Sequence, residues 1–138
     1  MKKIRLTIED IFEIPTAVIY NPDKFNSIES VTIDSRNISA NGLFIAIKGE
    51  KFDGHDFVGN AIQNGATAIL ISQEKYRNFE ELNIPVITVK NTVKALGDVA
   101  KIWRKKLRTK IMGITGSTGK TTTKEILALL LNEKYSVN

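Results

Sequence analysis

Three apolar runs set the terms for any fold this chain can adopt: Leu43-Phe44-Ile45-Ala46-Ile47, Thr67-Ala68-Ile69-Leu70-Ile71 and Pro85-Val86-Ile87-Thr88-Val89. Each is nearly continuous rather than alternating, the pattern of a strand covered on both faces. Helical patterns stand between and after them. Asp56 to Asn64 predicts a helix with Phe57, Ala61 and Ile62 inward and Gly65 at its C-terminal end. Val93, Leu96, Ala100, Trp103 and Leu107 recur at three- and four-residue steps, which predicts a longer helix with Trp103 in the core and Asn91 or Thr92 as its cap. Strands alternating with helices define an α/β architecture.

The flanking segments are weaker. Thr7 reads as an N-cap with Asp10 at the third position, opening a short helix that Pro15 ends. Asn21 to Ser30 is polar and turn-rich. Val31-Thr32-Ile33 alternates as a strand and runs into Asp34-Ser35-Arg36, and Asn41-Gly42 marks a turn. Ser72 to Asn83 is polar and has no clear period.

Near the C-terminal end stands Gly113-Ile114-Thr115-Gly116-Ser117-Thr118-Gly119-Lys120-Thr121-Thr122-Thr123. Lys110 to Ile114 reads as a strand. From Lys120 the pattern is helical, with Ile126, Leu129 and Leu130 on one face. Gly116 and Gly119 let successive backbone N–H groups face an anion, Lys120 carries a charge toward β/γ-phosphates, and the Thr121 hydroxyl suits Mg²⁺. A helix N-terminus adds its dipole. The general spacing G-x-x-x-x-G-K-[ST] would put its first glycine at Ile114, and Gly113 comes one residue early. The structural alternative is a strand–turn–helix connection that holds no ligand.

Charge separates the chain into two parts. Residues 1–100 hold 11 Lys/Arg against 13 Asp/Glu, whereas residues 101–138 hold 9 against 2, so the net +5 is local. Lys101, Arg104, Lys105, Lys106, Arg108 and Lys110 gather at one helix end, where cations complement the helix dipole. Without interleaved aromatics this reads as a solvated face, not a nucleic-acid surface. No apolar run is long enough for a membrane span or a signal peptide. The absence of cysteine excludes disulfides and thiolate metal sites and fits a cytoplasmic protein. The change of role at Leu107 to Lys110 places a boundary there, giving regions 1–108 and 109–138.

A second polar cluster follows the first two strands: Asp34, Ser35 and Arg36, then Lys48, Gly49, Glu50, Lys51, Asp53, Gly54 and His55. Ligands bind beyond the carboxyl ends of strands in open α/β sheets. Arg36 and Lys48 suit an anion such as a diphosphate, and Ser35 a base or sugar. Local turn chemistry fits equally, with Asp34 and Asp53 bonding backbone N–H groups and Arg36 paired with a carboxylate. His55, the single histidine, has no partner of metal-ligand type and reads as a capping or structural residue.

The ordered set Asp34-Ser35-Arg36, Gly42-Leu43-Phe44-Ile45-Ala46, Gly49-Glu50, Asp53-Gly54-His55-Asp56-Phe57, Ala61, Gly65-Ala66, Pro85-Val86 and Ile114 to Glu125 resembles the muramyl ligases of bacterial peptidoglycan synthesis. The likeness runs from Val31 onward, and the family's own loop also lacks the first glycine of the general motif. Within the family, Asp-Gly-His-Asp-Phe and Lys124-Glu125 favour the branch that joins D-alanyl-D-alanine to UDP-N-acetylmuramoyl-tripeptide. The sibling adding the third amino acid usually carries Arg at the position of His55 and Asn at that of Thr118.

The resemblance implies a small N-terminal UDP-binding α/β domain, residues 1–108. The first strand, P-loop and helix of an ATP-binding domain would follow from residue 109. It implies transfer of the ATP γ-phosphoryl group to a peptide carboxylate and attack of the dipeptide amine on the acyl phosphate. Ser35, Arg36, Glu50, Lys51, Phe52 and Asp53 would contact the uridine diphosphate. Thr115, Gly116, Ser117, Thr118, Gly119, Lys120, Thr121 and Thr122 would bind ATP, with Lys120 stabilising the transferring phosphoryl group and Thr121 ligating Mg²⁺. The rest of the central domain and the C-terminal domain would lie beyond position 138, which predicts an N-terminal fragment without ligase turnover. Three other readings stay open: the sibling muramyl ligase that adds the third amino acid, a stand-alone module that binds a UDP-linked precursor, and a P-loop protein unrelated to cell walls.

Overall fold

The structure, a computed structural model, describes residues 5–107 and 110–137. The chain divides into two compact units, Met1–Arg108 and Thr109–Asn138. The first contains α1 (Ile8–Phe12), β1 (Val18–Tyr20), β2 (Ser30–Thr32), β3 (Gly42–Ile45), α2 (Val58–Gln63), β4 (Ala66–Ser72), β5 (Val86–Val89) and α3 (Thr92–Leu107). The second contains α4 (Lys120–Asn132).

The strands form one sheet in the order β1-β5-β4-β3-β2. The pairs β2–β3, β3–β4 and β4–β5 are parallel, and β1 joins β5 antiparallel at the edge. Because side chains alternate across a strand, the continuous apolar runs supply both faces at once. Leu43, Ile45, Leu70, Ile87 and Val89 meet Ile11 of α1 and Ala95, Val99 and Ile102 of α3 on one side. Phe44, Ala46, Ile69, Ile71 and Val86 meet Val58 and Ala61 of α2 on the other. The three strands expected from the apolar runs are therefore present as β3, β4 and β5.

Local chemistry sets the helix ends. The Thr7 backbone N–H donates to Asp10 Oδ2 at 2.6 Å, and the helix that follows is the short α1. Asn91 Oδ1 accepts the Lys94 N–H at 2.9 Å, which makes Asn91 the cap of α3. Gly65 follows α2 with φ +104°, a left-handed conformation that favours glycine.

Three expectations need correction. The helix after Gly54 begins as a 3₁₀ turn over Gly54–Phe57, and its α-helical part starts only at Val58. Asp53 Oδ1 accepts the His55 N–H and tightens that turn, so Val58 takes the inward place and Phe57 is 40% exposed. The buried stripe of α3 is Thr92, Ala95, Val99 and Ile102, one position ahead of the predicted one. Leu96 and Trp103 flank the core half-buried, while Val93, Ala100 and Leu107 are exposed. Finally, Lys110 to Ile114 forms no strand. A strand exists only by pairing, and the described residues of the second unit offer it no partner.

Candidate functional site

The carboxyl ends of β2 and β3 open onto a groove. Two adjoining hollows, of about 480 and 520 Å³, share Ile33, Phe52, Gly54 and Phe57. Both volumes fall in the range of small-molecule sites. Ile47, Gly49, Glu50 and Lys51 complete one hollow, and Asp34, Ser35, Arg36, Phe44 and Asn60 the other. The apolar rim is open to solvent, with Phe52 at 71% and Ile33 at 56% exposure. The Phe52 and Phe57 rings meet edge to face, centroids 6.4 Å apart.

Two turns carry the polar groups. In the first, the Asp34 N–H donates to Thr32 Oγ1 at 3.0 Å, and the Arg36 N–H donates to Asp34 Oδ1 at 3.0 Å. The Arg36 guanidinium grips the same carboxylate through Nε and Nη2, both at 2.9 Å. The Arg36 side chain, its backbone N–H and Asn37 together hold the Asp34 carboxyl well below the usual carboxylate range. The same pair raises the Arg36 guanidinium. Asn64, just past α2, donates to the Ser35 carbonyl at 2.8 Å and pins the turn, leaving Ser35 buried. The local chemistry expected of Asp34 and Arg36 is thus present, and it presents Arg36 toward solvent beside the groove.

The second turn closes on itself. The Gly49 N–H donates to the Phe52 carbonyl and the Gly54 N–H to the Ile47 carbonyl, each at 2.9 Å. Lys48 and Asp53 pair across its base. Glu50, Lys51 and Phe52 sit at the tip and line the groove. Lys48 is not among the lining residues, and Asp53 turns away toward His55 and Lys75. Hydrogen bonding from His55 holds the Asp53 carboxyl below its usual value against the opposing effect of burial.

Sequence reasoning passed over Ile33, Phe44, Ile47, Phe57 and Asn60. Ile33 and Ile47 were legible as the residues where strands end. Phe57 was hidden by the 3₁₀ turn, which a helical period cannot reveal.

In the second unit the loop ends at Gly119, which has φ +78° and stands as N-cap of α4 with no side-chain cap bond. Gly116 has φ +155°. The first hydrogen bond of α4 runs from the Thr123 N–H to the Gly119 carbonyl at 2.9 Å. The N–H groups of Lys120, Thr121 and Thr122 therefore precede the helical ladder, as a phosphate cradle requires. Lys120 Nζ folds back onto the Gly116 carbonyl. The donor set fits ATP phosphates. The described residues contain no group of three or more His, Cys, Asp or Glu able to hold a metal. The Thr121 hydroxyl, in the first turn of α4, is an oxygen donor of the kind Mg²⁺ accepts.

A mostly parallel sheet with a groove at its strand ends, followed by a separate glycine-bearing loop and helix, defines the α/β class of this protein. Residues 27–104 match the model of the Mur ligase family, catalytic domain. The chain belongs to the Mur ligase family. It is 38% identical over 136 residues to the UDP-N-acetylmuramoyl-tripeptide--D-alanyl-D-alanine ligase of Bacillus subtilis, covering 98% of this chain and 29% of that one. It is 33% identical to the Escherichia coli protein of the same name, covering 94% of this chain and 27% of that one. The chain thus spans less than a third of the length of these curated relatives.

Solved structures agree. MurF from Acinetobacter baumannii superposes with a TM-score of 0.80 at 27% identity, covering 97% of this chain and 29% of that one. MurF ligase from Thermotoga maritima, solved in complex with ADP, gives 0.63 at 39% identity, covering 79% and 24%. No helix among the described residues is long and apolar enough to cross a membrane.

Proposed function

We propose that the first unit binds the uridine diphosphate end of UDP-N-acetylmuramoyl-tripeptide. The second unit would supply the phosphate-binding start of an ATP-dependent ligase that adds D-alanyl-D-alanine. The observation that carries this reading is the groove itself. An aromatic rim lies beside two fixed turns, each carrying a cation, Arg36 and Lys51. A nucleoside diphosphate needs those two chemistries side by side: an apolar edge for the base and positive charge for the phosphates.

Ser35 and Glu50 are the candidate polar contacts to base or ribose, and Phe52 the stacking surface. Asp53 contributes by holding its turn. In the second unit the N–H groups from Gly116 to Thr122, with Thr115, Ser117 and Thr118 in the loop, would cradle ATP phosphates. Lys120 would neutralise charge on the transferred group, and the Thr121 hydroxyl would hold Mg²⁺. In the reaction the peptide carboxylate oxygen bonds the γ-phosphorus while ADP departs. The dipeptide amine then bonds the acyl carbon while inorganic phosphate departs and the amine gives up a proton. UDP-linked substrate and ATP place this reaction in the cytoplasm. The central and C-terminal domains of such a ligase would supply the remaining groups.

The test is calorimetric titration of the chain with UDP-N-acetylmuramoyl-tripeptide and with ATP–Mg²⁺ separately. Saturable binding of the UDP compound, weakened in Arg36→Ala, supports the reading. Binding of ATP alone overturns the assignment of the first unit.

A further inference from the structure

The chain's single histidine links the substrate turn to the centre of the sheet. His55 is 7% exposed, and both ring nitrogens are engaged. Nε2 lies 2.9 Å from the backbone N of Ser72, at the end of β4. A backbone N–H only donates, so Nε2 is the acceptor and the ring proton of the neutral imidazole sits on Nδ1. Nδ1 then donates to Asp53 Oδ1 at 2.5 Å, and the His55 backbone N–H donates to the same oxygen at 3.0 Å. The other carboxylate oxygen faces Lys75 Nζ at 3.7 Å. A chain of contacts therefore runs from β4 through the imidazole to Asp53 at the base of the turn that carries Lys51 and Phe52.

The geometry points to His55 as a positioning residue for UDP recognition. By accepting the Ser72 N–H it fixes the 48–54 turn, and with it Lys51 and Phe52, at the edge of the groove. This rests on the UDP reading of that groove. A merely structural histidine would change stability without changing ligand affinity.

Ser72 offers a way to break the link from the strand side with residue 55 unchanged. Its φ is −67°, the angle proline imposes, and its N–H is spent on His55. Ser72→Pro deletes the donor and sets the ring Cδ where the N–H met Nε2, so the imidazole must leave its seat on β4. At His55, glutamine places an oxygen near the Nε2 position and keeps an acceptor for Ser72, whereas asparagine reaches only as far as Nδ1.

The experiment measures UDP affinity by calorimetry, melting temperature, and amide shifts of Gly49 and Phe52, in the full chain. We expect Ser72→Pro and His55→Asn to bind UDP about 10-fold more weakly, the effect of one lost hydrogen bond, with displaced Phe52 and Gly49 amides. His55→Gln should stay within about 3-fold of the parent. Parent-like UDP affinity in Ser72→Pro, or equal losses in Gln and Asn that only track melting temperature, overturns the inference. If the parent chain itself does not bind UDP, the reading of the groove falls. The positioning role is then decided by the Phe52 and Gly49 amides: unmoved in Ser72→Pro, they refute it; displaced, they uphold His55 as the holder of the turn.

Discussion

Lys106 Nζ lies 2.5 Å from Asp10 Oδ2, tying the last helix of the first unit to the first. The same ammonium donates to the Arg5 carbonyl at 3.1 Å, and the same carboxylate accepts the Thr7 N–H. Burial pushes the Asp10 carboxyl up, but hydrogen bonds from Lys106 and Thr7 outweigh it and hold the group below its usual value. Asp10→Ala removes the cap and the ion pair together and should cost about 2 kcal/mol in urea unfolding. Lys106→Met should cost less, since the cap remains. Because the folded-state value is depressed, the carboxylate's contribution is full above its unfolded value near pH ~3.9 and is lost as the pH falls. A parent–Asp10→Ala stability gap that stays constant from pH 7 to pH 3 would contradict this.

Gly54 has no room for a side chain. A Cβ there would lie 2.6 Å from the Ile47 N, 2.8 Å from its O and 3.1 Å from the Ala46 Cα, all backbone atoms. The 48–54 turn rests directly on the end of β3, so Gly54→Ala must lift it. Overpacking of this kind costs about 1–3 kcal/mol. The expected outcome is a lower melting temperature together with loss of UDP binding. Unchanged UDP affinity in a folded Gly54→Ala protein would show that the turn's seat is irrelevant to the site.

How far the sequence disclosed this arrangement depends on length and burial. The strands β3, β4 and β5 were legible because a strand covered on both faces needs a continuous apolar run. The edge strand Val18–Tyr20 was not, since its three residues are too few for a pattern and it pairs only along one side. Both polar turns of the groove were legible as clusters at strand ends. Their turn chemistry was legible as one of two even readings, with Asp34 and Asp53 on backbone N–H groups; spacing could not show that the carboxylate clasped by Arg36 is Asp34, or that Asp53 meets the His55 ring. The α3 stripe was misplaced by one residue because Val93, Leu96, Ala100, Trp103 and Leu107 form a second apolar row beside the buried one, which contains the small Ala95 and the polar Thr92.

The Asp34 carboxyl should titrate far below an ordinary aspartate. Its depressed folded-state value means that the pair's contribution to stability is full above about pH 4 and declines as the pH falls, while the carboxylate stays ionised well below that pH. Carboxyl ¹³C shifts followed from pH 7 to pH 2 should show Asp34 still ionised where exposed aspartates are half protonated. Arg36→Lys breaks the two-pronged contact and should bring the midpoint up toward ~3.9. A midpoint already near that value in the parent chain would mean the pair is absent in solution.

Thr88 is 1% exposed on β5, and its Oγ1 has no hydrogen-bond partner among the described residues. A buried hydroxyl without a partner is a cost that an isosteric methyl removes. Thr88→Val should therefore be neutral or stabilising, by up to about 1 kcal/mol in urea unfolding. A loss of stability would reveal a partner, such as a buried water, that valine cannot engage.

The loop before α4 depends on backbone conformation more than on space. An added Cβ at Gly119 meets nothing within 4 Å, yet φ is +78°. The cost of substitution is thus the left-handed backbone itself, about 1 kcal/mol for most residues, smaller for asparagine and larger when the side chain is β-branched. Gly119→Asn should keep the Thr123 N–H bonded to the residue-119 carbonyl, with the N–H groups of 120–122 still facing outward. Gly119→Val should rotate that peptide, speed exchange of the Thr123 amide and weaken ATP–Mg²⁺ binding about 10-fold. If valine and asparagine behave alike in both measurements, the left-handed turn at Gly119 is not what shapes the phosphate cradle.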